Sequence, residues 1–218
     1  VDGFTLYSGG ATGADTLFGT NAERYGIAEQ HYSFRHHKNC RSRGRVILEE
    51  PLLRQADDDL LSVIGEAFQR YQGSGKSVEK RWQRDWYQVQ RAREIFAVVK
   101  NIESLLDFTQ GKIEGTAIAV ALAIKTRRNC LRIHIYDQAS STWYVWQRDS
   151  EPTEITKKVL YRRIEVDTRE EVAEMIDFEP VADEDKVRIT ESDFTGIGTR
   201  ELSRQGVDAI NGLFERSF

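Results

Sequence analysis

Two hydrophobic periods alternate along this chain. Residues 4–7 form a short apolar run that reads as a buried strand. Residues 13–25 then carry Ala14, Leu17, Phe18, Ala22 and Tyr25 at helical spacing, with Gly26 as a stop. Residues 29–34 suggest a second strand. A long helix is expected over 50–71, where Pro51 sits in the first turn and Leu52, Leu53, Ala56, Leu60, Leu61, Ile64, Ala67, Phe68 and Tyr71 trace one face. The run Gly73-Ser74-Gly75 ends it, a helix over 78–93 follows, and residues 95–99 form an apolar strand. A helix over 115–125 and a strand over 131–136 come next, with 143–146 as its hairpin partner.

That alternation predicts an α/β fold: a Rossmann-like three-layer sandwich with a mainly parallel sheet, because strands buried on both faces read as continuous apolar runs. Beyond residue 149 the texture changes. Residues 151–185 are rich in charge, with a possible strand over 159–166 and a short helix over 168–175. A closing helix over 200–214 presents Leu202, Val207, Ile210, Leu213 and Phe214, so the expected organisation is a core over 1–149 with an extension over 150–218 packed on it.

Composition narrows the function classes. The 218 residues are 39% hydrophobic and 30% charged, with a formal net charge of -4, which gives no global pull toward nucleic acid or anionic membranes. No apolar run approaches the ~20 residues of a membrane span. No signal-peptide pattern is visible, and the expectation is a cytoplasmic protein with no membrane partner. Cys40 and Cys130 lack metal-type spacing, and His31, His36, His37 and His134 do not complete a zinc pattern with them, so neither a metal nor a cofactor is implied. One basic cluster, Arg35, Lys38, Arg41, Arg43 and Arg45, can meet phosphates or simply form a solvated surface.

The candidate chemistry lies in two loops. YSGGATGAD, residues 7–15, clusters Gly9, Gly10 and Gly13 between a strand and a helix, where backbone N–H groups and the helix dipole converge. Ser8 and Asp15 flank those glycines. The loop has neither the GxGxxG fingerprint nor the Lys-Ser/Thr of a P-loop, and a structural turn is the competing reading. The second loop, residues 110–116, ends in Glu114-Gly115-Thr116 before the small, apolar helix GTAIAVALAIK. Both loops follow strands and precede helices, which places them together at the carboxyl edge of one sheet. Between them, KRWQRDWYQVQR offers Arg84 for an anion and Trp82 or Trp86 for a base; the tryptophans equally suit an apolar helix stripe.

These segments, YSGGATGAD, RDWYQVQRAREIFAVV, EGTAIAVALAI and LRIHIYDQASSTWYVW, together resemble the SLOG superfamily over residues 4–146. This is the Rossmann-like group that includes the DprA/Smf, YpsA-like and LOG-like proteins. FTGIGTREL near the C-terminus resembles a Gly-motif of YpsA-like and phage-type members. The resemblance implies a nucleotide site built from Ser8, Gly9, Gly10, Gly13, Asp15, Trp86, Gly115 and Thr116, and a protein that forms a dimer or higher homo-oligomer. The helix over 50–71 offers a face for such pairing.

LOG-like enzymes release a base from a nucleotide with a helix arginine and a loop glutamate. Those positions fall on Arg84 and Ala119, so the glutamate and its leading PGG are missing, and Glu114 nearby or Asp15 is the candidate stand-in. The leading expectation is therefore a protein that senses or sequesters a nucleotide-derived small molecule. A nucleotide N-glycosidase (phosphoribohydrolase) is the alternative enzyme, with Arg84 and Glu114 as its catalytic candidates. DNA binding in the manner of DprA is a third reading, opposed by the acidic balance.

Overall fold

The structure is a computed structural model that describes residues 2–37, 41–109, 113–126, 129–148 and 155–218. Lys38, Cys40, Gln110, Gly111 and Lys112, and the boundary expected at 149–150, lie outside the described residues. The strands are β1 (Thr5–Ser8), β2 (Ala28–Phe34), β3 (Arg45–Leu48), β4 (Glu94–Val99), β5 (Arg132–Asp137), β6 (Thr142–Gln147), β7 (Lys157–Ile164), β8 (Glu171–Pro180) and β9 (Asp193–Gly198). They form a nine-stranded sheet in the order β3-β2-β1-β9-β4-β5-β6-β8-β7. The six strands from β3 to β5 run parallel, and β6, β8 and β7 are added antiparallel. The fold is thus α/β with a mostly parallel sheet, compatible with a Rossmann-like three-layer sandwich.

Strand β4 shows how the layers arise. All six of its residues are buried. Ile95, Ala97 and Val99 face one apolar cluster while Phe96 and Val98 face the other, the period-2 alternation of a strand covered on both sides. Helices α1 (Ala14–Arg24) and α7 (Arg204–Ser217) cover the second face, through Phe18, Ala22, Ile210, Leu213 and Phe214. The first face is covered by α3 (Asp57–Ile64), α5 (Ser77–Arg91) and α6 (Gly115–Thr126). In α6, Thr116 through Ile124 are all buried. Its small residues let the helix lie close to the sheet.

The helix expected over 50–71 is broken into α2 (Glu50–Leu53), a 3-10 turn at Arg54–Ala56, α3 and α4 (Glu66–Gln69). The break at Gly65 is obligatory. Its φ is +53°, and a Cβ there would stand 2.0 Å from the Ile164 carbonyl oxygen of β7. Most of the apolar face of this region (Leu53, Leu60, Val63, Ile64, Phe68) lies inside the chain's own core, with Leu52 left exposed.

Three further elements differ from the sequence expectation. Residues 168–175 are not helical: 171–180 form β8, the second strand of a hairpin with β7 paired from Lys157↔Phe178 to Ile164↔Glu171, and this cross-strand pairing overrides local helix propensity. The basic segment contains strand β3, and Arg41 and Arg43 within it are taken up by ion pairs rather than left open for a phosphate. Arg41 pairs with Glu29 at 2.8 Å and Glu23 at 3.1 Å, and Arg43 pairs with Glu29 at 3.1 Å. Finally, the glycine-rich segment before α7 is itself a strand, β9, inserted between β1 and β4 at the middle of the sheet.

Gly65→Ala is expected to cost about 2 kcal/mol, the order of a side chain forced into a glycine-only backbone region. Urea unfolding measures it; wild-type stability in the variant would show that the break is not enforced.

Candidate functional site

The insertion of β9 decides what stands at the carboxyl edge of the sheet. The loop after β1, the loop leading into α6 and the segment 199–201 after β9 meet around one cavity of about 320 Å³. Tight glycine contacts fix their spacing. A Cβ on Gly196 would stand 2.2 Å from the Phe18 ring, so glycine lets α1 settle on β9. At Gly13, φ is +96°, and a Cβ would fall 2.5 Å from both the Thr199 carbonyl oxygen and the Arg200 Cα. The Ala14 N–H donates to that same carbonyl at 3.1 Å. The first glycine loop is thereby clasped to the C-terminal segment.

Arg84 rises from α5 into the floor of the cavity and is 5% exposed. Its Nη1 stands 2.9 Å from Asp85 Oδ1 and 3.9 Å from Asp15 Oδ2. Its buried Nε has no hydrogen-bond partner. Gly9 makes room for this side chain, because a Cβ there would overlap the guanidinium at 1.4 Å from Nη1. Asp85 in turn accepts from Gln88 Nε2 at 3.0 Å, and its Oδ2 lies 2.6 Å from where a Cβ on Gly115 would stand. Asp15 accepts the Gly198 N–H at 3.2 Å, which ties α1 to β9.

Two buried carboxylates therefore face one guanidinium. Burial pushes the Asp85 carboxyl up to about 6, opposed by Arg84 and reinforced by Asp15. Burial likewise raises Asp15, against Arg84 and the N–H groups it accepts. A cleft carboxyl raised toward neutrality can hold or take a proton near physiological pH.

The remaining expected residues fall into place as follows. Gly115 and Thr116 line the cavity at the start of α6, and Glu114 lies exposed at its rim. Ser8 is fully buried and its Oγ accepts the Gly10 N–H at 3.3 Å, so it shapes the loop. Gly10 has φ +60°, and a Cβ there would touch the His31 ring at 3.3 Å. Trp86 does not line the cavity. It packs in the core and donates Nε1–H to Asp59 at 2.5 Å. Trp82 lines the cavity instead, edge-on to Tyr71 at a centroid distance of 5.2 Å. Ala119 is fully buried inside α6.

Sequence reasoning missed Asp85, Tyr71, Arg81 and Arg200 as wall residues. The adjacency of Asp85 to Arg84 was a usable signal for the first; the others depend on how α4, α5 and β9 converge. The site thus has a polar floor, Arg84 with Asp15 and Asp85, and an apolar wall of Tyr71, Val78, Trp82 and Ile113. Among the described residues no cluster of His, Cys, Asp or Glu could hold a metal, and no helix is long and apolar enough to cross a membrane. Cys130 is buried, and burial pushes its thiol up to about 12, so it is no nucleophile.

No family model, curated protein or solved structure matches this chain.

Replacing Arg84 by Met leaves two buried carboxyls without their cation, at a cost of about 3 kcal/mol near neutral pH. A carboxyl whose folded value is raised contributes stability below its ordinary value of 3.8 and loses it as pH rises through the folded value, about 6 for Asp85. The deficit of the variant is therefore expected to be largest near neutrality and to narrow toward the ordinary carboxyl range. Denaturant melts across pH test this; a pH-independent deficit would contradict the charge account.

Proposed function

We propose that the cleft binds a nucleotide or a nucleotide-derived small molecule, as in a protein that senses or sequesters such a compound. The observation that carries this reading is the Arg84 guanidinium, buried under Gly9 with an unpartnered Nε, at the floor of a cavity flanked by both glycine loops. A buried arginine fork suits a phosphate oxygen pair, and the N-terminus of α6 at Gly115 and Thr116 adds backbone N–H donors. The opposite wall suits a base, which can lie against Trp82 and Tyr71. The order of motifs along the chain supports the same reading through its resemblance to SLOG proteins. Pairing of subunits belongs to that resemblance as well, whereas the cytoplasmic location is an expectation from the sequence alone.

Isothermal calorimetry against nucleoside mono-, di- and cyclic phosphates tests the proposal. At least one is expected to bind, and Gly10→Val, which crowds His31 and forces a side chain to positive φ, is expected to weaken it by about tenfold or more. Failure of every nucleotide to bind, or unchanged affinity in the variant, would overturn the site as drawn.

A second reading is favoured by Asp85. Base release requires a carboxylate near the scissile bond, and the position expected to supply it holds Ala119. Asp85 lines the same cavity beside Arg84, a relocated carboxylate for a nucleotide N-glycosidase. Free base released from a nucleotide by the wild type but not by Asp85→Asn would support it, whereas persistence of release in that variant would remove Asp85 from the chemistry.

A further inference from the structure

The floor of the cleft carries no surplus of positive charge, since Asp15 and Asp85 oppose Arg84. The rim does. Arg81 and Arg200 line the same cavity, from α5 and from the segment after β9, and neither has an ion-pair partner among the described residues. The rim carboxylates are Glu201, engaged by Lys100 at 2.7 Å, and the exposed Glu114; against them stand Arg70, Arg81, Arg200 and Lys100, so the rim keeps a surplus of positive charge. Arg200 is held there by the backbone, through the clasp of residues 199–200 onto Gly13. In a chain of formal net charge -4, two unpaired guanidiniums converging on one cavity call for an anionic complement.

Two neighbouring groups register this field. Burial, then Arg200, holds the Arg81 guanidinium below its ordinary value, against the opposing pull of Asp85. His37 is lowered to about 4, first by burial and then by Arg84, Arg81, Arg200 and Arg45, and so stays neutral at physiological pH. A histidine that would add another positive charge is thus kept uncharged.

Resting on the nucleotide reading of the site, we propose that the ligand carries two adjacent phosphoryl groups. The inner one meets Arg84 and the glycine loops, and the outer one sits between Arg81 and Arg200. The cavity of about 320 Å³ lies at the small end of ligand sites, which suits one nucleoside diphosphate rather than two joined nucleotides. The two guanidiniums act on the outer group as charge-assisted donors, and a monophosphate leaves them without a partner.

The test is calorimetry at fixed ionic strength with inorganic phosphate, pyrophosphate, and the 5′-mono- and diphosphates of the four common ribonucleosides. Pyrophosphate is expected to bind at least about tenfold tighter than phosphate, and the preferred nucleoside diphosphate to exceed its monophosphate by a similar factor. In the double variant Arg81→Gln, Arg200→Gln, checked for an unchanged melting temperature, that ratio is expected to fall to within about twofold of unity. Equal affinities for mono- and diphosphate in the wild type, or a ratio that survives in the double variant, would overturn this proposal and leave the nucleotide site standing. Pyrophosphate bound more tightly than every nucleoside diphosphate would overturn the nucleoside part, and no binding of any nucleotide or phosphate would overturn both.

Discussion

A guanidinium buried between two carboxyls is the constraint around which the rest of this site is arranged. Arg84 can sit where it does only because Gly9 has no side chain, and Asp85 beside it crowds the start of α6 at Gly115. Asp15 completes the set while holding the backbone of β9 through Gly198. Each of the three charged groups belongs to a helix end or helix face that the sheet brings together, so the pairing of charges and the packing of layers are one problem. Removing any of these groups from water costs several kcal/mol, and the cost is offset only if the partners stay in register. Such a charged set costs stability that apolar packing would not, and that cost is the physical argument behind the proposed site.

The sheet supplies the register. Strand β9 enters between β1 and β4, with pairs from Thr5↔Asp193 on one side and Glu94↔Phe194 on the other. Its entry is anchored by Glu94, which is fully buried and accepts the N–H groups of Thr190 and Glu191 as well as bonding to His134. The C-terminal fifth of the chain thereby contributes the third wall of the cleft and one of its rim cations. Gly196 and Gly198, poor strand formers in isolation, are the residues that let α1 approach closely enough for its N-terminus to face the cavity.

Much of the first layer of this architecture was legible in the sequence. The apolar runs at β1, β4 and β5 and the spacing of α1, α5 and α6 announce themselves because their burial is two-sided or amphipathic. The site was half legible: Arg84, Gly9, Gly13, Asp15, Gly115 and Thr116 are all at or around the cavity. What could not be read has a common physical origin. Strand β9 is specified by partners far away in the chain, β8 by its hairpin with the equally charged β7, and the break at Gly65 by a carbonyl of β7. Trp82 and Trp86 are one helical turn apart, so the sequence offered both for a base while packing against Asp59 withdrew Trp86 into the core. The basic segment at 41–45 looked open because its acidic partners, Glu23 and Glu29, lie on other elements.

The central claim is that Arg84 and the two glycine loops form an anion site. Diffraction from crystals soaked in tungstate, a phosphate-shaped anion with a strong anomalous signal, examines that claim without any assumption about the natural ligand. The account predicts an anomalous peak inside the cavity, within hydrogen-bond reach of Arg84 and the N-terminal N–H groups of α6. A cavity without such a peak, alongside tungstate bound elsewhere on the surface, would contradict it.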